Sequence, residues 1–231
     1  MDSLFTLQYT CLLVFAMLML QLLVSRLYQN STTPQYEKSR LLLVATTLIL
    51  VVHYALQISL ELRANDDNVG TVFNMLFYPI ADFFLASSIV QIQTSRKTMR
   101  RYAIVGSLAC LAIIGIFAFG WYTSGSMALG QTRRVMYIMF TLTMIYFVAS
   151  PIIIIRRTYQ RISNETGGDI STYGRYTLAS YLLLCMLSLT LIFAITWRPA
   201  LFVVGPLMLF TMFLFITSFI ALGFNIAPVE D

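Results

Sequence analysis

Hydrophobic positions in this chain come in long unbroken blocks, separated by short polar connections. Seven blocks reach the roughly 20 residues that a membrane-spanning helix needs. They cover 5–24, 41–60, 71–92, 102–121, 135–155, 176–196 and 200–224. Barrel strands would alternate in polarity over roughly ten residues. These blocks are uninterrupted and too long for that, and a helix satisfies its own backbone hydrogen bonds in lipid. The pattern predicts an all-α polytopic membrane protein with seven transmembrane helices in a single domain, 1–231. No linker divides the chain. The connection Trp197-Arg198-Pro199 is so short that the last two spans must form a tight antiparallel hairpin. One long interrupted element there would lower the span count and move the tail to the other side.

The connections predict an orientation. Arg26, Lys38 and Arg40 flank the first loop. Arg96, Lys97, Arg100 and Arg101 fill the third, and Arg156, Arg157, Arg161 and Arg175 belong to the fifth. The opposite side holds only Arg63, Arg133, Arg134 and Arg198. The excess of basic residues marks the cytoplasmic side. The expectation is an N-terminus outside and a cytoplasmic C-terminus. Trp121 and Trp197 fall at the predicted outer boundary, where indole rings favour the interface. Met1 to Thr10 contains no Lys or Arg, so the positive region of a cleaved signal peptide is missing and the first helix is expected to stay as an anchor. The fifth connection is the longest. Its start, to Ser163, is expected to extend the preceding helix with Arg157 and Arg161 on one face. Gly167-Gly168 would end that helix, and 162–174 reads as polar loop.

Composition supports the membrane reading. Hydrophobic residues make up 58% and charged residues 11%, against roughly 25% charged in soluble domains. The formal charge of +5 sits in clusters between apolar runs, which suits topology and lipid head groups rather than nucleic acid. The three cysteines, Cys11, Cys110 and Cys185, lie in different apolar runs without metal or redox spacing. They read as small packing residues.

Several chemistries fail on the residues present. A retinal Schiff base needs a buried lysine, and the two lysines, Lys38 and Lys97, fall in predicted loops. The single histidine, His53, excludes bis-histidine haem and a zincin helix. No nucleophile motif accompanies it. The expectation is no catalytic residue, no metal and no cofactor. Pro34-Gln35 matches a dipeptide of seven-helix sugar transporters, but it falls in a predicted loop. Two glycosylation triplets, Asn30-Ser31-Thr32 and Asn164-Glu165-Thr166, fall on the predicted cytoplasmic side, where they stay unmodified.

Ionisable groups at membrane depth are functional candidates because each costs a few kcal/mol to insert. Asp82 lies near the middle of the third span and His53 in the second. Counting ~1.5 Å per residue from the outer ends puts them within ~6 Å in depth. A contact would make a proton relay, a pH latch or a structural hydrogen bond. The alternative is that they face different cavities and never meet. Gln57, four residues from His53, shares its face. With Asn74 and Asp82 these residues form the candidate ligand site: His53, Gln57, Asn74 and Asp82. Pro79 and Pro206 are the candidate hinges, and Pro151 is a further expected bend by the same rule. The polarity of the third span predicts a place inside the bundle.

Short stretches resemble a known family. They are Leu7-Gln8-Tyr9-Thr10, Tyr36-Glu37-Lys38-Ser39-Arg40, Asn164-Glu165-Thr166-Gly167-Gly168-Asp169 and Ala221-Leu222-Gly223-Phe224-Asn225. Together they resemble the multi-helix membrane modules that precede helix-turn-helix (AraC-type) regulators in some bacteria. The resemblance implies a bacterial inner-membrane sensory or regulatory module, signalling to a cytoplasmic effector without touching nucleic acid itself. The sequence ends at Asp231 without a DNA-binding domain, so the resemblance implies an isolated module or a separate partner. The lipid bilayer and a homo-oligomeric copy are the other candidate partners. Two alternatives remain: a small secondary transporter or channel with Asp82 as the coupling acid, and a scaffold subunit of a membrane complex.

Overall fold

The structure, a computed structural model, describes residues 3–28, 34–93, 96–166 and 172–225. Its elements are α1 (Ser3–Ser25), α2 (Pro34–Ser59), α3 (Leu62–Asn65), α4 (Asp67–Gln93), α5 (Arg96–Ser124), α6 (Thr132–Thr166), α7 (Thr172–Thr196) and α8 (Arg198–Asn225), with a 3-10 turn at Arg26–Tyr28 after α1. Seven of these helices are long and apolar enough to cross a membrane. The fold is all-helical among the described residues and supports a multi-pass membrane protein.

Large apolar side chains face outward along the spans. Met17, Leu108, Leu142, Phe193 and Val203 are all more than half exposed. In water such a surface would aggregate, whereas in lipid it costs nothing. Trp121 and Trp197 are both exposed and stand at the same end of the bundle. That end, called upper here, carries Ser3 and the connections 59–67, 124–132 and 196–198. The lower end carries the connections 25–34, 93–96 and 166–172.

Neighbouring helices follow α1–α2–α4–α6–α7–α8, and α8 returns to α1, which closes a ring. Within the ring α4 also meets α7. It is the most connected helix, as the polarity of its sequence predicted, with α5 packed against α4 and α6 on the outside. The expected hairpin of the last two spans is present. Only Trp197 separates α7 from α8, and its amide bonds to the Phe193 carbonyl at 3.0 Å.

Several boundaries differ from those the hydrophobic pattern predicts. The helix expected at 41 begins at Pro34, so Pro34 and Gln35 form its first turn and not a loop. Proline suits that position because its missing N–H has no intrahelical acceptor there. Lys38 and Arg40 are therefore helical, as are Arg96, Lys97, Arg100 and Arg101 in the first turns of α5. The stretch 162–174 is not all loop: α6 continues to Thr166 and α7 starts at Thr172. Polar sequence obscured these ends, since a helix leaving the bilayer no longer needs apolar side chains. The short α3 has no counterpart in the hydrophobic pattern. The first glycosylation triplet, the Gly167-Gly168 helix stop and the tail beyond Asn225 fall outside the described residues, as do the side chains of Arg157 and Arg161. Helices α4, α6 and α8 run unbroken through Pro79, Pro151 and Pro206.

Candidate functional site

The site begins with an amide chain across three helices. Gln8 on α1 donates through Nε2 to Gln57 Oε1 on α2 at 2.6 Å, and Gln57 Nε2 donates to Asn74 Oδ1 on α4 at 2.6 Å. All three side chains are buried. A primary amide in lipid that loses its partners costs several kcal/mol. The chain therefore fixes the relative depth of α1, α2 and α4. One turn further down, the hydroxyls of Tyr54 and Tyr78 lie 3.1 Å apart.

Gln57 and His53 share a face, as their spacing predicted. Their nearest nitrogens are 3.5 Å apart. The His53 ring is fully buried in an aromatic shell, with Tyr54, Phe73, Phe77 and Tyr78 at centroid distances of 4.9, 5.4, 5.2 and 5.1 Å. Its Nδ1 has no hydrogen-bond partner among the described residues.

No hydrogen bond joins His53 to Asp82 among the described residues. At about 100° per residue, Asp82 points roughly 140° to 180° away from Phe77 and Phe73, on which His53 rests. Depth separates them as well: His53 also meets Tyr78, which lies about 40° from Asp82 in azimuth but a full turn above it on α4. Asp82 instead lines a cavity with Tyr78 and Ala81, and it has no hydrogen bond or ion pair to any described residue.

That cavity occupies the upper half of the ring. Its volume is about 90 Å³, enough for several water molecules. Gln8, Gln57, Asn74, Tyr54, Tyr78 and Asp82 form a polar wall from α1, α2 and α4. Leu7, Leu184, Leu201, Met208 and Met212 supply an apolar one from α1, α7 and α8. A second cavity of about 10 Å³ lies between α4, α6 and α7, bordered by Asp82, Tyr181 and Ser188. It is about the size of one water, and Asp82 stands in the wall between the two spaces. Of the predicted site residues, Gln57, Asn74 and Asp82 line the main cavity, whereas His53 sits behind its wall.

Arg63 also lines the cavity near its upper end, although the sequence placed it in an outer loop. The residue is 4% exposed. Its Nε donates to Asp67 Oδ1 at 2.9 Å, and its Nη2 is buried without a partner among the described residues. The side chain lies against Gly70, where any Cβ would come within 2.6 Å of the Arg63 Cβ. The Arg63-to-Asp67 spacing of four residues was the available signal. Gln8 had no comparable signal, being one polar residue in an apolar run.

Below the cavity, side chains from α2 hold three neighbouring helices. Arg40, 2% exposed, donates through Nη1 to the Leu22 carbonyl at 2.5 Å. It also forms a two-point pair with Glu37, at 2.9 Å from Nε and 2.6 Å from Nη2. Tyr36 donates its hydroxyl to the Phe219 carbonyl at 3.1 Å and stacks on the Phe219 ring. Ser39 donates to the Ser88 carbonyl. Thus the first two turns of α2 tie α1, α4 and α8 together below the cavity.

Known proteins give no match. Neither a family model, nor a curated protein, nor a solved structure corresponds to this chain. The cavity itself is therefore the guide to function. Among the described residues no group of three His, Cys, Asp or Glu side chains is placed to hold a metal.

Proposed function

We propose that this protein is a membrane sensory module, which binds a small molecule in the upper cavity and passes the signal to a cytoplasmic effector. The observation that carries the reading is a cavity with incompletely partnered polar groups, below which α2 is tied to α1, α4 and α8. A molecule bound between the polar wall on α1, α2 and α4 and the apolar wall on α7 and α8 shifts one wall against the other. The basic residues in the helix turns at the lower end support a cytoplasmic lower end and an N-terminus outside. The resemblance to modules ahead of AraC-type regulators supports a bacterial inner membrane and a DNA-binding effector that acts as a separate partner or a linked domain. Signal transfer is a shift between two packings of the ring, with Pro79 and Pro206 as hinges.

Transport is the second reading. Asp82 favours it, because an acid in a wall between two spaces can carry a proton or cation from one to the other. Reconstitution separates the two. The sensory reading expects Asp82→Asn to leave the protein folded while its response to ligand changes, with no solute crossing the bilayer. Solute flux in proteoliposomes that Asp82→Asn abolishes would replace the sensor with a transporter. Unchanged response and unchanged stability would remove Asp82 from either mechanism.

A further inference from the structure

We propose that Arg63 is the head-group receptor of the upper cavity, and that the cavity takes a small monocarboxylate with an unbranched apolar body. This rests on the reading of the cavity as a ligand site and names the ligand's chemical class.

An arginine presents five N–H donors in a fixed fork and stays charged at any working pH. In Arg63 the Nε edge is used by Asp67, and Nη2 is buried with nothing to donate to among the described residues. A buried donor without an acceptor is costly, and more so on a cation. Nη2 belongs to a residue of the cavity wall, so a ligand oxygen there would remove the cost. A carboxylate suits best, since it accepts two parallel bonds from a guanidinium edge.

The groups around Arg63 agree with an anion at this position. The first turn of α4 begins at Asp67, and Arg63 packs on Gly70 within it. The N-terminal end of that helix carries partial positive charge. The competing acids are Asp67, whose side chain is half exposed, Asp66, which bonds the Asn68 amide at 2.8 Å, and the exposed Glu61. Arg133, at the start of α6, is engaged by Asn68. Asp82 is the acid inside the cavity. It lies twelve residues along α4 from Gly70, roughly 18 Å away. The ligand's charge therefore stays at the upper end while its apolar body passes Leu7, Leu201 and Met208. Amide groups of Gln8 and Asn74 border its first atoms. The 90 Å³ volume is smaller than the about 150 Å³ cavity that admits benzene, which limits the body to a short chain.

The test is thermal unfolding of the full chain in nanodiscs with butyrate, hexanoate and octanoate, beside the alcohols of equal length. Butyrate is expected to raise Tm most, with the gain falling as the chain outgrows the 90 Å³ cavity, and the alcohols to do so much less. Arg63→Gln is expected to weaken carboxylate binding by roughly tenfold or more. Because Arg63→Gln also removes the Asp67 pair, Asp67→Asn is the second variant. It frees the guanidinium from its competing acid, so carboxylate binding should tighten. Equal shifts from acid and alcohol would overturn the proposal in favour of a purely apolar cavity. Loss of binding in Asp67→Asn, or undiminished binding in a folded Arg63→Gln, would place the carboxylate elsewhere. Carboxylate binding with no signal to any effector would remove the sensory reading and leave this inference standing. A response to some other ligand, with no carboxylate binding, would do the reverse.

Discussion

Arg40 on α2 caps the C-terminal end of α1 by donating to the carbonyl of Leu22 at 2.5 Å. Leu22 is one of the last four residues of α1, whose carbonyls have no partner within their own helix. The same carbonyl also accepts from the Ser25 hydroxyl at 2.9 Å. A cation at this position also meets the negative end of the helix dipole. The Glu37 carboxylate holds the guanidinium from the other side and lies 3.7 Å from Arg26.

Arg40→Ala should therefore loosen α2 from α1 at the lower end. It removes a buried donor from the Leu22 carbonyl and from the partly exposed Glu37, a change of the kind that costs about 1–3 kcal/mol. Arg40→Lys should recover only part of this, because one ammonium cannot span the carboxylate and the carbonyl in the same geometry. Thermal unfolding in nanodiscs measures the loss. Labelling of a cysteine introduced at Ser39 by a water-soluble maleimide reports the loosening. Equal stability of the wild type and both variants would show that the hold of α2 on α1 does not depend on this arginine.

His53→Phe should fold as well as the wild type or slightly better. The imidazole lies in an aromatic shell and its Nδ1 has no partner among the described residues. Its other nitrogen has one long contact, 3.5 Å to Gln57, so replacing the ring by an apolar one of similar shape is near neutral. The comparison with His53→Ala, expected to lose roughly 2–4 kcal/mol through its cavity, shows that shape is what matters. A strong loss in His53→Phe would instead reveal a polar role for the ring.

Two glycines of α5 should respond in opposite directions. At Gly106 a Cβ would come within 2.3 Å of the Phe83 ring. That ring is packed against Tyr102 and Phe147 and has little room to move. Gly106→Ala should cost about 1–3 kcal/mol. At Gly115 a Cβ meets nothing within 4 Å, so Gly115→Ala should gain about 0.5–1 kcal/mol in helix propensity. Unfolding midpoints of the two variants, measured together, check the sign of each. Equal effects would mean that α5 does not approach α4 at Gly106.

The spans were legible because an unbroken apolar run of about 20 residues fits little besides a membrane-crossing helix. Helix ends were not, since Glu37 and Arg40 carry charges that only a partner three residues away and the Leu22 carbonyl make acceptable within the structure. Periodicity correctly joined His53 to Gln57 on one face. It could not tell that α4 turns Asp82 away from His53, because depth constrains one coordinate and azimuth needs a known neighbour. Gln8 and Arg63 were invisible for different reasons. Gln8 has its meaning only through Gln57, forty-nine positions away. Arg63 looked like a loop charge until Gly70 gave its side chain a place to lie.

The ring closes where α8 meets α1, and a Cβ on Gly205 would make ordinary contact with Leu7 at 3.4 Å. During synthesis α8 follows all the other cavity helices, so an emerging chain has every wall but one. Any molecule that fits the finished cavity has nothing complete to hold until α8 arrives. Its affinity then adds to the final docking step, and supplying such a molecule to growing cells would raise the fraction of newly made protein that escapes degradation.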